Sequence, residues 1–320
     1  MPQTFQPLLP TLSRALVERL SYIDFRLYFL GELRRSDLVG RFGTGPAGAT
    51  RDIAQYREAA PGNLEFDGTR KLYLPSASFT PLFDHAPQRV LSALSQGFGQ
   101  GADDALSPLV RCEIPSALSV PRMEVLAPVT RAIHRGRALR VIYHSLSGEP
   151  GERELVPFAL VDSGVRWHVR AFDRKSAEFR DFVLTRIESP RLLEDDEVAP
   201  TETAEHDVQW SRIVELDLVP HPSHPRPEVI RRDYDMADGV LRIRVRAANA
   251  GYMLRRWNVD CSPGHRLRGP EYALALADPL VLYGAANALL APGYRPPGPA
   301  SPADKLAGSR QRDATPESGR

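Results

Sequence analysis

Leu139-Arg-Val-Ile-Tyr-His-Ser145, followed by Arg153–Val161, Arg166–Phe172 and Phe179–Leu184, is a run of short segments rich in β-branched and aromatic residues. Apolar and polar side chains alternate within them, and Ser-Gly-Glu-Pro-Gly, Asp-Ser-Gly and Asp-Arg-Lys-Ser stand between them as turn formers. The pattern predicts four strands closed into a small β-barrel. Because side chains alternate across a strand, Trp167, Val169 and Ala171 fall on one face and His168, Arg170 and Phe172 on the other. The first set suits a core. The same parity groups Tyr143 with Ser145 and Phe182 with Arg186, which would gather arginines, an imidazole, a phenol and a hydroxyl on one concave surface suited to an anion. The alternative is that Arg170 and Arg186 pair with carboxylates such as Asp173 or Glu188, as often happens on polar sheet faces. Periodicity leaves both readings open.

Working outward, 320 residues exceed one ordinary core and predict two or three domains. A formal net charge of +1 excludes a polyelectrolyte binder but not a local basic face, so charge is judged region by region. Only Lys71, Lys175 and Lys305 are lysine among 41 basic residues; a GC-rich genome explains that bias more simply than a need for planar phosphate forks. Cys112 and Cys261 lie far apart and outside Cys-x-x-Cys spacing, which argues against a disulfide framework or a cysteine zinc site. The N-terminal residues carry no basic segment followed by an apolar run, and no long apolar window occurs, so a soluble cytoplasmic protein without a membrane partner is expected.

Ahead of the barrel, Leu16, Leu20, Ile23, Leu27 and Leu30 recur at spacings of three and four behind a Ser13 cap, which predicts an amphipathic helix over Ser13–Leu30. Arg34–Phe42 reads as a second helix. Gly43-Thr-Gly-Pro46 breaks it before a third from about Ala47 to Ala59, a helix-turn-helix pattern. Leu64–Leu74 alternates around Asp67-Gly68 and predicts a hairpin, the wing. The third helix would display Thr50, Arg51, Gln55 and Arg57 and bury Ile53 and Tyr56, while Arg70 and Lys71 sit on the wing. Such side chains reach base edges and phosphates in a major groove. The competing reading is a helical hairpin unconnected with DNA, its arginines in ordinary pairs such as Arg51 with Gln55. Ten basic against eight acidic residues over 1–75 tilt the balance only modestly.

Residues 76–130 read as a helical connector, with a helix at Pro87–Gln96, a Gly-rich loop at Gly97–Gly101 and helical turns from Pro128 to Gly136 feeding a barrel domain over 131–193. In those turns Ile133 faces inward, and Arg131 and Arg135 outward. Residues 194–206 are acidic and lack apolar periodicity, which predicts a solvated linker rather than a catalytic carboxylate pair. From 207 to 291 the chain reads as a small α+β module: a strand at Ile213–Val219, a short helix at Glu228–Arg232, a strand Leu241-Arg-Ile-Arg-Val-Arg246, and helices at Ala250–Trp257 and Leu280–Leu290. That second strand would present Arg242, Arg244 and Arg246 on one face. Residues 292–320, rich in Pro, Gly, Ser and charge, read as a disordered tail.

Chemistry-bearing alternatives are weaker. His221 and His224 sit in a proline-rich loop with no third ligand nearby, which argues against a metal. Ser145, His144 and Asp162 lack a Gly-x-Ser-x-Gly elbow, and Gly97-Phe-Gly-Gln-Gly101 is not a phosphate loop, so neither an enzyme nor a bound cofactor is expected.

Taken together, Arg137–Ser145, Val156-Pro-Phe-Ala-Leu160, Arg166–Phe172 and Phe182–Ile187 resemble, in order and spacing, a WYL domain, the Sm/SH3-like barrel of bacterial transcription regulators. Gly31–Phe42, Ala49–Tyr56 and Lys71-Leu-Tyr73 resemble the winged helix of phage-defence-associated repressors of the BrxR/CapW type, and Val219–Pro222 with Tyr252–Trp257 resemble their C-terminal dimerisation extension. The fold implied is α+β and multidomain: winged helix-turn-helix, barrel, dimerisation domain. The resemblance, over roughly residues 13–290, implies a homodimeric repressor of a phage-defence operon, bound to a palindromic double-stranded operator and released by a nucleotide or oligonucleotide effector. Arg35, Ser36, Thr50, Arg51, Gln55, Arg57, Arg70 and Lys71 would then meet DNA, and Tyr143, Ser145, His168, Arg170, Phe182 and Arg186 the effector. Two positions depart from the pattern: Trp-Tyr-Leu is Trp167-His168-Val169, and Phe158 stands where a histidine is common. Aromatic and basic lining still suits a phosphate with a stacked base. A transcriptional activator, or an accessory protein that handles or processes single-stranded nucleic acid, is the alternative.

Overall fold

The computed structural model describes residues 12–98 and 108–297. They divide into two units, the first ending at Pro115 and the second beginning at Ser116.

In the first unit, α1 (Arg14–Phe25) continues as a π-helical turn to Leu30, and the Ser13 hydroxyl caps its start by accepting from the Leu16 N–H. Helix α2 (Arg35–Phe42) is capped by Asp37, whose carboxylate accepts the Arg34 N–H at 2.7 Å, and α3 (Pro46–Ala59) begins on Pro46. Between them Gly43 takes a left-handed conformation that L side chains avoid. Strands β1 (Leu64–Asp67) and β2 (Leu72–Pro75) form the wing hairpin, and β2 is stitched to the start of α2 by reciprocal backbone bonds between Tyr73 and Leu33 at 2.8 and 2.9 Å. Helix α4 (Pro87–Gln96) follows. Leu20, Ile23, Leu27, Leu38, Ala49, Ile53 and Tyr56 make one core. Within it the buried Asp24 carboxylate accepts from the Tyr56 hydroxyl and the Leu82 and Phe83 N–H groups and contacts the His85 ring. Burial and that neighbouring charge push the Tyr56 hydroxyl well above the ordinary phenol range. A carboxylate so fully satisfied locks the angle of α3 against α1.

The second unit opens with α5 (Met123–Arg135), which starts before the Pro128 where the sequence pattern begins. Val125, Val129 and Ala132 share one helical face and bury it, and this packing carries the helix through its internal proline. Strands β3 (Leu139–Tyr143), β4 (Gly151–Asp162), β5 (Trp167–Asp173), β6 (Glu178–Val183) and β7 (Ile187–Leu192) form an antiparallel sheet ordered β6-β5-β4-β3-β7. This corrects the expected closed barrel. Strand β7 is a fifth strand, paired with β3, and β6 and β7 remain the two edges. Helix α5 covers one face, packing Val125, Val129 and Ala132 on Leu139, Val141, Leu155, Val169 and Ala171, so the apolar side is buried without closure. A bulge after Pro157 accommodates the missing N–H in the middle of β4.

The acidic run after β7 is docked on the sheet. Arg174 donates to both oxygens of Glu202, at 2.7 and 2.9 Å, to Asp196 and to the Glu197 carbonyl. The guanidinium holds the Glu202 carboxyl below the usual carboxylate range. Beyond it come α6 (Val208–Ser211), β8 (Ile213–Pro220), α7 (Pro227–Asp233), β9 (Leu241–Arg246), α8 (Ala247–Arg256) and β10 (Leu274–Leu276), the strands ordered β10-β8-β9. Arg242 and Arg244 on β9 pair with Asp238 and Glu215.

The expected closing helix at Leu280–Leu290 is instead two 3-10 turns, Pro279–Leu282 and Ala288–Leu290, separated by left-handed Gly284. Tyr294 belongs to the same core as Leu216, Leu254 and Leu276, and the Pro292 carbonyl accepts the Cys261 N–H, so packing runs past the start expected for the tail. The tail from 298 and the loop residues 99–107 lie outside the described residues. Among the described residues no helix is long and apolar enough to cross a membrane.

Gly251 shows how tightly this module is built: a Cβ there would sit 1.9 Å from the Asn287 carbonyl oxygen. Gly251→Ala is therefore expected to lower stability by about 1–3 kcal/mol despite alanine's better helix propensity, read by thermal or urea melts.

Candidate functional site

Helix α3 buries Ala49, Ile53 and Tyr56 and leaves Thr50, Arg51 and Arg57 exposed and Gln55 half-buried. At helical spacing, Thr50 and Arg57 make one stripe and Arg51 and Gln55 the next. Arg35 and Ser36 are exposed in the first turn of α2, where Arg35 donates to the Thr50 hydroxyl at 3.4 Å and so joins the two helices. Arg70 and Lys71 are exposed at the wing turn, whose shape is set by Asp67 accepting from the Thr69 and Arg70 N–H groups. Arg51, Arg57 and Lys71 form no ion pair among the described residues, whereas Arg19 and Asp52 pair at 2.8 Å to hold α3 on α1. Sequence reasoning passed over Arg34. Its guanidinium donates to the Arg70 carbonyl and ties the wing to the start of α2.

On the WYL-like sheet, the six expected effector residues do not converge. Strand register sets His168 opposite Val183, Val169 opposite Phe182, and Arg170 opposite Asp181. Phe182 therefore lies on the Val169 side, in the core, and packs edge-on against Tyr143 at 5.0 Å. Tyr143 shares the parity of Leu139 and Val141, and its hydroxyl accepts the Val183 N–H. Ser145 lies beyond β3, half-buried and bonded to Ser147. Trp167, expected in the core, sits at the strand end and is 42% exposed. His168 and Arg170 share one face of β5, and Arg186, in a single 3-10 turn after β6, acts on His168 through its charge.

Arg170 is 4% exposed. It donates side-on to Asp207, Nε to one oxygen at 2.8 Å and Nη2 to the other at 3.2 Å, and its Nη1 reaches Asp181 at 3.2 Å. The carboxylates first considered for it are taken elsewhere, Asp173 by Arg153 and Glu188 by His144. Tyr252 on α8 donates to Asp181 at 3.0 Å and stacks on the His168 ring at 5.0 Å. Burial and the Asp181 charge raise the Tyr252 hydroxyl well above the phenol range. Burial, with the positive charges of Arg166 and Arg186, pushes His168 below the ordinary imidazole range. Its Nδ1 is buried without a hydrogen-bond partner among the described residues. Trp210 covers Phe158 edge-on at 5.5 Å, and the Arg246 guanidinium lies 4.5 Å over the Trp210 ring.

The polar face of the sheet thus carries a buried Arg170–Asp181–Asp207 cluster beside His168, covered by the segment from Asp207 to Trp210 and by α8. The sequence reading assigned no site role to Asp181, Asp207, Trp210 or Tyr252. Of these, only Asp181 carried a signal, its place opposite Arg170 in a hairpin.

His221 and His224 serve structure: His221 bonds to Asp260 at 3.0 Å and Ser223 at 2.7 Å, and His224 contacts the Tyr272 carbonyl.

Three family models match the chain in order. They are the BrxR transcriptional regulator winged helix-turn-helix domain over residues 15–96, the WYL domain over 124–192, and the BrxR C-terminal dimerization domain over 213–282. A DNA-binding transcriptional repressor CapW of Escherichia coli is 32% identical over 273 residues, spanning 81% of this chain and 87% of that protein. The CapW of Pseudomonas aeruginosa is 33% identical over 261 residues, spanning 76% and 82%, and that of Stenotrophomonas maltophilia 33% over 251 residues, spanning 76% and 83%.

Proposed function

The chain belongs to the BrxR/CapW family of WYL-domain transcriptional regulators, and from that premise we propose a homodimeric, effector-released repressor acting on DNA in the cytoplasm. The observation that carries the proposal is the polar face of α3 beside the wing. Exposed Arg51 and half-buried Gln55 share the stripe that would enter a major groove, and Arg35, Ser36, Thr50, Arg57, Arg70 and Lys71 flank them toward the phosphates. Two-fold symmetry implies an inverted-repeat operator with half-sites about one helical turn or more apart. Resemblance to phage-defence-associated regulators makes a defence operon the gene set to examine. Footprinting on the DNA upstream of its own gene tests the reading: a protected inverted repeat supports it, and protection of a single asymmetric stretch contradicts the dimeric operator.

Leu280 and Tyr283, at 61% and 64% exposure, lie in the 3-10 segment that Arg212 fastens through the Val281 and Tyr283 carbonyls, and they support a dimer surface on the C-terminal module. Leu280→Glu with Tyr283→Glu is expected to convert dimer to monomer in light scattering and to weaken operator binding in parallel. An unaltered dimer would place the interface elsewhere.

For the effector, the guanidinium groups of Arg170 and Arg186 beside the stacked His168–Tyr252 pair support a phosphate-bearing ligand such as a nucleotide or short single strand. Release requires the effector to prefer one of two states of the protein.

A further inference from the structure

The Arg170 fork that would take an anion already holds one. Asp207 engages the Arg170 guanidinium side-on through both oxygens, at 2.8 and 3.2 Å, which is the geometry a phosphate adopts on the same fork. We propose that Asp207 is a built-in competitor for the effector: a phosphate group of the effector replaces its carboxylate on Arg170, and the replacement releases α6 from the sheet. The proposal rests on the reading of this Arg170 cluster as the effector site.

Their places in the fold single out Asp207 rather than Asp181 as the group that leaves. Asp181 belongs to β6 and is fixed in register opposite Arg170. Asp207 lies in a connecting segment, between a 3-10 turn at Ala204–His206 and the four-residue α6. Charge favours the exchange as well. Arg170 faces two carboxylates, while Arg166 and Arg186, close enough to act on His168, form no ion pair among the described residues and would meet the incoming anion.

The same carboxylate also builds the element it would release. Asp207 Oδ1 accepts the N–H groups of Gln209 and Trp210, at 3.0 and 3.2 Å, and so caps α6. Gln209 in turn bonds to the Gly284 carbonyl and the Ala286 N–H, and Arg246 donates to the Trp210 carbonyl. Losing the Arg170 contact therefore loosens the joint between the sheet and the C-terminal module, where the effector's binding energy is converted into a change of arrangement.

The test compares Asp207→Asn, Arg186→Ala and the unaltered full-length protein, binding a fluorescent 5′-phosphorylated single-stranded oligonucleotide in solution, with hydrogen exchange followed over residues 207–212. Asparagine caps a helix as well as aspartate does but removes the charge. Asp207→Asn is expected to bind the probe at least roughly tenfold more tightly, the scale of removing one charge-assisted competitor. Probe binding should also raise exchange over 207–212 in the unaltered protein. Should Asp207→Asn fail to melt cooperatively, Asp207→Ser, also an uncharged cap, takes its place. Equal affinity for Asp207→Asn and the unaltered protein, with weaker binding by Arg186→Ala, would overturn the competitor while leaving the effector site standing. Probe affinity indifferent to both substitutions would overturn the effector site and the competitor together.

Discussion

Replacing Arg170 by alanine is expected to destabilise the second unit by about 3–5 kcal/mol, the range seen when one partner of a buried ion pair is removed. The cost comes mainly from what is left behind. Asp207 and Asp181 are both largely shielded from water, and the guanidinium is the cation that satisfies them. Without it, two buried carboxylates are left with no cation between them, and Tyr252 donates to Asp181 alone. Replacing both carboxylates as well, in Arg170→Ala with Asp181→Asn and Asp207→Asn, should recover most of the loss, because no buried charge then remains. Urea melts of the three proteins read this directly. If Arg170→Ala alone melts within about 1 kcal/mol of the unaltered protein, the trio is solvated rather than buried. For the same reason Arg186, only half-buried, is the better residue for probing effector binding without a folding defect.

The second large effect is on DNA. Arg51→Ala with Gln55→Ala is expected to weaken operator binding by roughly a hundredfold or more, since each good base contact contributes about 1–3 kcal/mol of discrimination. Stability should be unchanged to within about 0.5 kcal/mol, because neither side chain belongs to the core around Ile53 and Tyr56. The wing offers a contrast. Arg70→Ala and Lys71→Ala should weaken binding to all sequences alike and flatten its salt dependence by about one counterion each, the signature of phosphate contacts. A double substitution on α3 that leaves affinity within twofold would move the recognition surface off this helix.

How much of this was legible in the residues differs from region to region for physical reasons. Helix α1, the Ser13 cap, the Gly43 break and the hairpin are local signals, and the structure has all four, the hairpin turning over Gly68–Lys71 rather than at Asp67-Gly68 itself. Strand parity on β5 correctly put His168 and Arg170 on one face, because alternation is a property of one strand. Parity failed for Phe182 and Tyr143, whose faces depend on how β6 and β3 register against their neighbours. The barrel failed for a related reason: Ser189 and Pro190 disguise β7, and the cover over the sheet comes from α5, whose start is masked by Pro128. Asp207 was least legible of all. It lies 37 residues from Arg170, next to an acidic run that reads as solvated, and only the fold brings the pair together.

One measurement bears most directly on the central claim: the binding isotherm of the purified protein on the DNA upstream of its own gene, against a scrambled duplex, at low and at physiological salt. The account predicts saturable binding to the upstream fragment, tighter than to the scrambled duplex by about 1,000-fold or more, with both affinities falling as salt rises. Equal affinity for the two duplexes at physiological salt would contradict a sequence-reading repressor.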